Sequence, residues 1–194
     1  MSRRGLLTVV SGPSGVGKDT VLHEVFKHDP ALSYSVSYTT RQPRPGEVDG
    51  RDYSFVSDAE FDRMIAAGEL LEWEPVHTHR SGTGRGRVEE ALDAGRDILL
   101  NIDVKGGLEI RRLIREPLLV FLAPPSLEEL DRRRRSRGTE DEKELAQRAS
   151  DAQIEMGYSN QYDAVVVNDD VEHAAKEILH LIEQRRAMEP KGEG

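Results

Sequence analysis

Gly12, Pro13, Ser14, Gly15, Val16, Gly17 and Lys18 carry the spacing G-x-x-x-x-G-K, followed by Asp19 and Thr20. Glycines let such a loop turn tightly enough to aim successive backbone N–H groups at one anion. A helix starting at the end of the loop adds the positive end of its dipole. Lys18 brings a full charge to the β- and γ-phosphates of a nucleoside triphosphate. The flanks agree, with the apolar β-prone run 6–10 before the loop and Val21, Leu22, Val25 and Phe26 at helical spacing after it. One position departs from the pattern. The residue after the lysine is normally Ser or Thr, whose hydroxyl binds Mg²⁺, and here it is Asp19. A carboxylate is also a hard oxygen ligand for Mg²⁺. Action through a bound water, or capping of the helix, remain open alternatives for Asp19.

A second concentration of charge is Arg132-Arg133-Arg134-Arg135-Ser136-Arg137, with Arg148 further on. Arg133 and Arg137 are four residues apart and share one helical face. Three readings compete: a nucleic-acid patch, a solvated helix face, or cations that gather around a transferring phosphoryl group. The acidic Glu140-Asp141-Glu142 that follows, and a net charge of −9, argue against nucleic acid. His77 and His79 alternate as a strand would present them, but a zinc site needs more ligands.

The elements that must position these residues follow from periodicity. Runs 6–10, 97–102, 118–122 and 164–167 are apolar on both faces, as in buried parallel strands. Helical patterns occupy 20–27, 87–94, 108–115, 127–135, 142–154 and 171–186. This alternation predicts an α/β fold with a doubly wound parallel sheet. Residues 35–87 differ, with short alternating patches around the turn-rich Pro43-Arg44-Pro45-Gly46, and read as an inserted α+β subdomain. The polar stretch 136–150 reads as a mobile helical flap. With 194 residues the chain can bury a core unaided. It has no cysteine, which excludes a disulfide framework and a thiolate metal site and fits a cytoplasmic protein. No apolar run approaches the roughly 18 residues of a membrane span, so neither a membrane nor nucleic acid is an expected partner.

The stretch from Ser37-Tyr38-Thr39-Thr40-Arg41 through Pro43-Arg44-Pro45-Gly46 to Asp52-Tyr53 strongly resembles the GMP-binding signature of guanylate kinases. The likeness continues in Glu69-Leu70-Leu71-Glu72-Trp73, Ile102-Asp103-Val104-Lys105-Gly106-Gly107, Leu122-Ala123-Pro124-Pro125-Ser126, Arg137-Gly138-Thr139 and Val167-Asn168-Asp169-Asp170, in the family's order and over nearly the whole chain. The resemblance implies a P-loop kinase that converts ATP and GMP, with dGMP as a second acceptor, to ADP and the diphosphate, using Mg²⁺. It implies a core of 1–36, 88–125 and 156–194, a GMP-binding subdomain of 37–87 and a lid of 126–155. Arg41, Arg44 and Tyr53 would hold the GMP phosphate, and Ser37, Glu72, Thr83 and Asp103 would serve the rest of the acceptor. Lys18, Arg133, Arg137 and Arg148 would surround the transferred group, and Asn168 would contact adenine. The residue chemistry agrees. Arginines flanking a proline turn can converge their guanidinium forks on one phosphate. An acceptor-only carboxylate at Glu72 receives both N1–H and the 2-amino group of guanine, a donor pair that adenine lacks. Asp103 ends a core strand, where open α/β sheets bind ligands.

Two further positions depart from the family. Where members carry another acid two residues before Asp103, this chain has Asn101. Together with Asp19, this suggests that an acid near Mg²⁺ has moved from strand to loop, with Asp19 and Asn101 as the metal-side residues. Ser81 stands where a second phosphate-binding Tyr is typical, and Arg80 or Arg85 are candidates to take over. Two other functions stay in view: a kinase for another phosphorylated acceptor such as ribose bisphosphate, and a non-catalytic interaction module of the same fold. The intact 37–53 block opposes the first and the intact phosphate loop opposes the second. Oligomeric state is not legible.

Overall fold

The computed structural model describes residues 3–76, 78–135 and 142–188, with backbone alone at residues 134 and 142–148. Five parallel strands form the main sheet: β1 (Leu7–Ser11), β2 (Ser33–Tyr34), β7 (Ile98–Asn101), β8 (Leu118–Ala123) and β9 (Ala164–Val167), in the order β2-β7-β1-β8-β9. Every residue of β1 and β8 is buried, which explains their unbroken apolar reading.

Side chains alternate across the sheet and feed two apolar layers. Val10, Leu99, Val120, Leu122 and Val166 face one way, against α1 (Lys18–His28), α5 (Leu127–Arg135), α6 (Glu142–Met156) and α7 (Val171–Met188). Val9, Ile98, Leu100, Leu119 and Phe121 face the other, against α3 (Arg85–Asp93) and α4 (Val104–Leu113). This is the doubly wound sheet expected from the alternating pattern. The short edge strand β2 is an addition, too brief to show a period.

Between β2 and α3 the chain builds a second sheet. It contains β3 (Tyr38–Thr39), β4 (Ser54–Phe55), β5 (Leu70–Val76) and β6 (His79–Gly84), ordered β4-β3-β6-β5, with α2 (Asp58–Ala66) packed on one side. Ser57 caps α2 by accepting from the Glu60 N–H at 3.1 Å. β5 and β6 form an antiparallel hairpin in which Glu72, Trp73, Glu74, Pro75 and Val76 face Thr83, Gly82, Ser81, Arg80 and His79. Of the stretch read as a flap, 136–141 lie outside the described residues and 142–150 begin α6.

One polar knot ties the core's edge to its last helix. Asp97 is 7 % exposed. It accepts from the Leu6 N–H at 2.6 Å, from Arg3 at 2.7 and 3.0 Å, and from Arg186. Burial alone would raise its carboxyl; the Leu6 amide, Arg186 and Arg3 outweigh that and hold it below the ordinary range. Asp97→Ala should therefore destabilise the fold by about 2 kcal/mol in urea unfolding, less than for a fully buried pair, because Arg3 and Arg186 are 38 % and 29 % exposed. Since the native pKa is depressed, this contribution is present at neutral pH and is lost as pH falls through the carboxylate range.

Candidate active site

The loop of residues 12–17 leaves the C-terminal end of β1 and enters α1 through Gly17, whose φ is +100°. A side chain there would be strained, and a Cβ would lie 2.8 Å from Asn168 Nδ2. That amide donates to the Val16 carbonyl at 2.8 Å, and Asn168 is only 3 % exposed. Arg133, from α5, donates to the Asn168 carbonyl at 3.1 Å and to Val16 O at 3.4 Å, while Glu129 accepts from its Nε at 2.8 Å. Asn168 and Arg133 thus brace the loop from behind. The resemblance implied a contact of Asn168 with adenine; here its amide nitrogen donates to the loop.

At the front, Lys18 Nζ donates to the Gly12 carbonyl at 2.7 Å and spans the loop. Asp19 lies in the first turn of α1, where the helix dipole favours a negative charge. Its Oδ1 accepts from Asn101 Nδ2 at 2.7 Å, across 82 residues of sequence. Two of the three departures from the family pattern are therefore in direct contact.

A cleft of about 300 Å³ runs from Ser14, Lys18, Asp19 and Thr20, past Asn101 and Asp103, to one face of the second sheet. The period of two decides which side chains reach it. Glu72, Glu74 and Val76 of β5 line the cleft, as do His79 and Ser81 of β6 and Ser37, Thr39 and Arg41 on and beside β3. Trp73 and Tyr38 turn to the opposite side, over Phe61 and α2.

Glu72 is 8 % exposed and accepts from Thr83 Oγ1 at 2.6 Å. Burial pushes its carboxyl up to about 7, against the pull of the Thr83 hydroxyl and with help from the charges of Glu74 and Asp103. Asp103 is the N-cap residue of α4 but makes no side-chain cap bond, and it lines the cleft. Gly106 is what lets α4 approach: a Cβ there would lie 2.8 Å from Glu72 Oε2 and 3.2 Å from Glu74 Oε1.

Arg41 is held in a two-pronged pair with Glu47 at 2.6 and 2.7 Å. Its guanidinium lies 4.7 Å from the centre of the Tyr53 ring. Glu47 also accepts from the Arg44 N–H at 2.7 Å, closing the proline turn. Arg41, Arg44 and Tyr53 all reach the cleft. Glu47 was missed by the sequence reading, although its place six residues after Arg41, just beyond the Pro43–Gly46 turn, was the available signal.

Neither candidate for replacing the absent Tyr faces the cleft. Arg80 pairs with Asp58 and Asp62 and lies 4.8 Å from the Phe61 ring centre. Arg85 donates to the Gly68 carbonyl at 3.1 Å. Arg80 belongs to the α2 side of the sheet, because it is out of step with Ser81, and Arg85 begins α3, tied to the Gly68 carbonyl and Glu89. Arg137 and His77 lie outside the described residues, and Arg148 is placed in α6 by its backbone alone. Among the described residues, the triad of potential metal ligands within 4.8 Å of one another is Glu24, His28 and Glu172, remote from His79.

Comparison with known proteins agrees with this geometry. The guanylate kinase family model matches residues 4–185. A guanylate kinase from Nocardia farcinica is 50 % identical over 182 residues, 93 % of this chain and 94 % of that protein. One from Caldanaerobacter subterraneus is 43 % identical over 182 residues, 94 % of this chain and 88 % of its own length. A crystal structure of guanylate kinase from Anaplasma phagocytophilum superposes with a TM-score of 0.76 at 33 % identity, covering 98 % of this chain and 89 % of that one. An intact phosphate loop facing a buried carboxylate across one cleft, together with a family model matching residues 4–185 and relatives matched over almost all of each chain, places this protein in the guanylate kinase family.

Proposed function

We propose that this chain transfers the γ-phosphoryl group of ATP to GMP, releasing ADP and GDP, and accepts dGMP as well. The observation that carries the reading is the single cleft joining Lys18 and its loop to Glu72, Arg41, Arg44 and Tyr53. Glu72, held by Thr83, presents the acceptor pair that guanine's N1–H and 2-amino group require. A base-free acceptor such as ribose bisphosphate has no use for that carboxylate, and a non-catalytic module has no use for Lys18 at the loop.

The chemistry needs no covalent intermediate. Positioning and charge neutralisation suffice for phosphoryl transfer. In this reading 37–87 is the acceptor domain and 126–155 a lid. Arg133, already against the loop, acts with Lys18, Arg137 and Arg148 on the transferred group. Water exclusion on closure suppresses hydrolysis of ATP.

The donor set at the loop suits Mg²⁺, with a carboxylate and an amide in contact, both hard oxygen sources. Asp19 and Asn101 would hold the ion beside the ATP phosphates, where it supplies charge neutralisation. The contact also explains the exchange of residue types. An acid at both positions would set two carboxylates at hydrogen-bond distance, whereas an amide at 101 donates to Asp19.

A coupled assay with ATP and GMP, AMP, UMP or ribose bisphosphate should show turnover of GMP alone, and absence of GMP turnover with Mg²⁺ present would overturn the reading. Asp19→Ser should weaken the Mg²⁺-dependent part of ADP affinity, measured by calorimetry, and Asp19→Ser/Asn101→Asp should restore it. A single variant that equals the double one would rule out the exchange. Because the Glu72 carboxyl sits near 7, KM for GMP should rise as pH falls below about 7, where protonation removes an acceptor. Glu72→Gln should raise KM for GMP by about 100-fold and flatten that pH profile.

A further inference from the structure

We propose that Glu74 is a specificity-determining residue that reads the ribose of the acceptor, favouring GMP over dGMP. The inference rests on the kinase reading above and extends it to the sugar.

The second sheet offers the cleft three parallel rows of side chains, each about 6.6 Å from the next, the rise of two strand residues. The register pairs Glu72 with Thr83, Glu74 with Ser81, and Val76 with His79. It also pairs Thr39 with Ser81, and carrying it one step either way along the same face sets Ser37 level with Thr83 and Arg41 level with His79. The first row therefore holds Glu72 and Thr83, which complement the base. The third holds Arg41, which complements the phosphate. Between them lies the row Thr39, Ser81 and Glu74, at the level of the sugar.

The middle row offers acceptors only. Thr39 Oγ1 donates its proton to the Arg80 carbonyl at 3.0 Å, and Ser81 Oγ donates to the Tyr38 carbonyl at 3.3 Å. Glu74 adds a carboxylate whose Oε1 is buried without a hydrogen-bond partner. Burial and the charge of Asp103 make that carboxyl harder to ionise, against the pull of Lys105 and the Gly106 N–H, and no donor reaches Oε1. A phosphate would be repelled here, whereas ribose hydroxyls supply what is missing. Rotation about the terminal torsion of Glu74, which is soft, exchanges the oxygen presented to the cleft. The 2′-hydroxyl is the donor that GMP has and dGMP lacks. A site built to bond a hydroxyl discriminates against the analogue without it.

The test is the ratio of kcat/KM for GMP to that for dGMP in the unaltered protein, Glu74→Ala and Glu74→Gln. A charge-assisted bond predicts a ratio of about ten in the unaltered protein. The ratio should fall towards one in Glu74→Ala and drop about threefold in Glu74→Gln, which keeps an acceptor but loses the charge. An unaltered protein that does not discriminate, or a ratio unmoved by Glu74→Ala, overturns the proposal. Should Glu74→Ala fail to fold, a ratio unmoved by the near-isosteric Glu74→Gln overturns it equally. Absence of GMP turnover in the unaltered protein is a different result, and would overturn the kinase reading itself.

Discussion

β1 is hydrogen-bonded on both edges by strands that run its own way, β7 on one side and β8 on the other. Parallel pairing brings the C-terminal ends of neighbouring strands together at one rim. The phosphate loop leaves β1 there, Asn101 and Asp103 close β7 there, and Asn168 follows β9 there. The Asn101–Asp19 bond and the Asn168–Val16 bond are consequences of that shared rim. A slip of one residue in β1 would turn its core side chains to the wrong layers and carry the loop away from both partners.

The second sheet obeys a different constraint. It is mixed, with the antiparallel β5–β6 hairpin at one edge, and one face packs on α2 while the other is wetted by the cleft. That allows acidic and hydroxyl side chains at every second residue on the wetted face. The same alternation separates the arginines. Arg41 meets the cleft and is steadied by Glu47, while Arg80, adjacent to the cleft-lining Ser81, is fixed among the acids of α2. Pairing Arg41 with a carboxylate lowers the net charge of that spot, but it fixes the guanidinium plane and so limits the entropy lost when an anion is bound.

Electrostatics at the cleft is divided in the same manner. Acidic groups crowd one end, where burial and the charges of Glu74 and Asp103 raise the proton affinity of Glu72, and burial and Asp103 raise that of Glu74. Lys18 and the loop amides, with Arg41 and Arg44, occupy the parts suited to phosphate. A nucleotide carries donors at its base and negative charge at its phosphate, so one orientation is favoured.

The phosphate loop, the four long core strands and most helices were legible in the sequence, because each rests on local chemistry or on a period within one element. Gly17 and Lys18 carry meaning at fixed spacing, and the fully buried strands announce themselves as unbroken apolar runs. The proposal that Glu72 reads guanine came from its acceptor chemistry once the 37–53 block was recognised. What only the tertiary structure decided are relations between distant residues. The Asp19–Asn101 contact bridges 82 positions, Asn168 reaches back 152 positions to brace the loop, and the orientation of Arg80 depends on which face of β6 it occupies. Glu74 gave no signal by itself, since a lone glutamate is usually a solvated side chain. The pairing of β5 with β6 put it in line with Glu72, because cross-strand register is set by the whole sheet and not by any one segment.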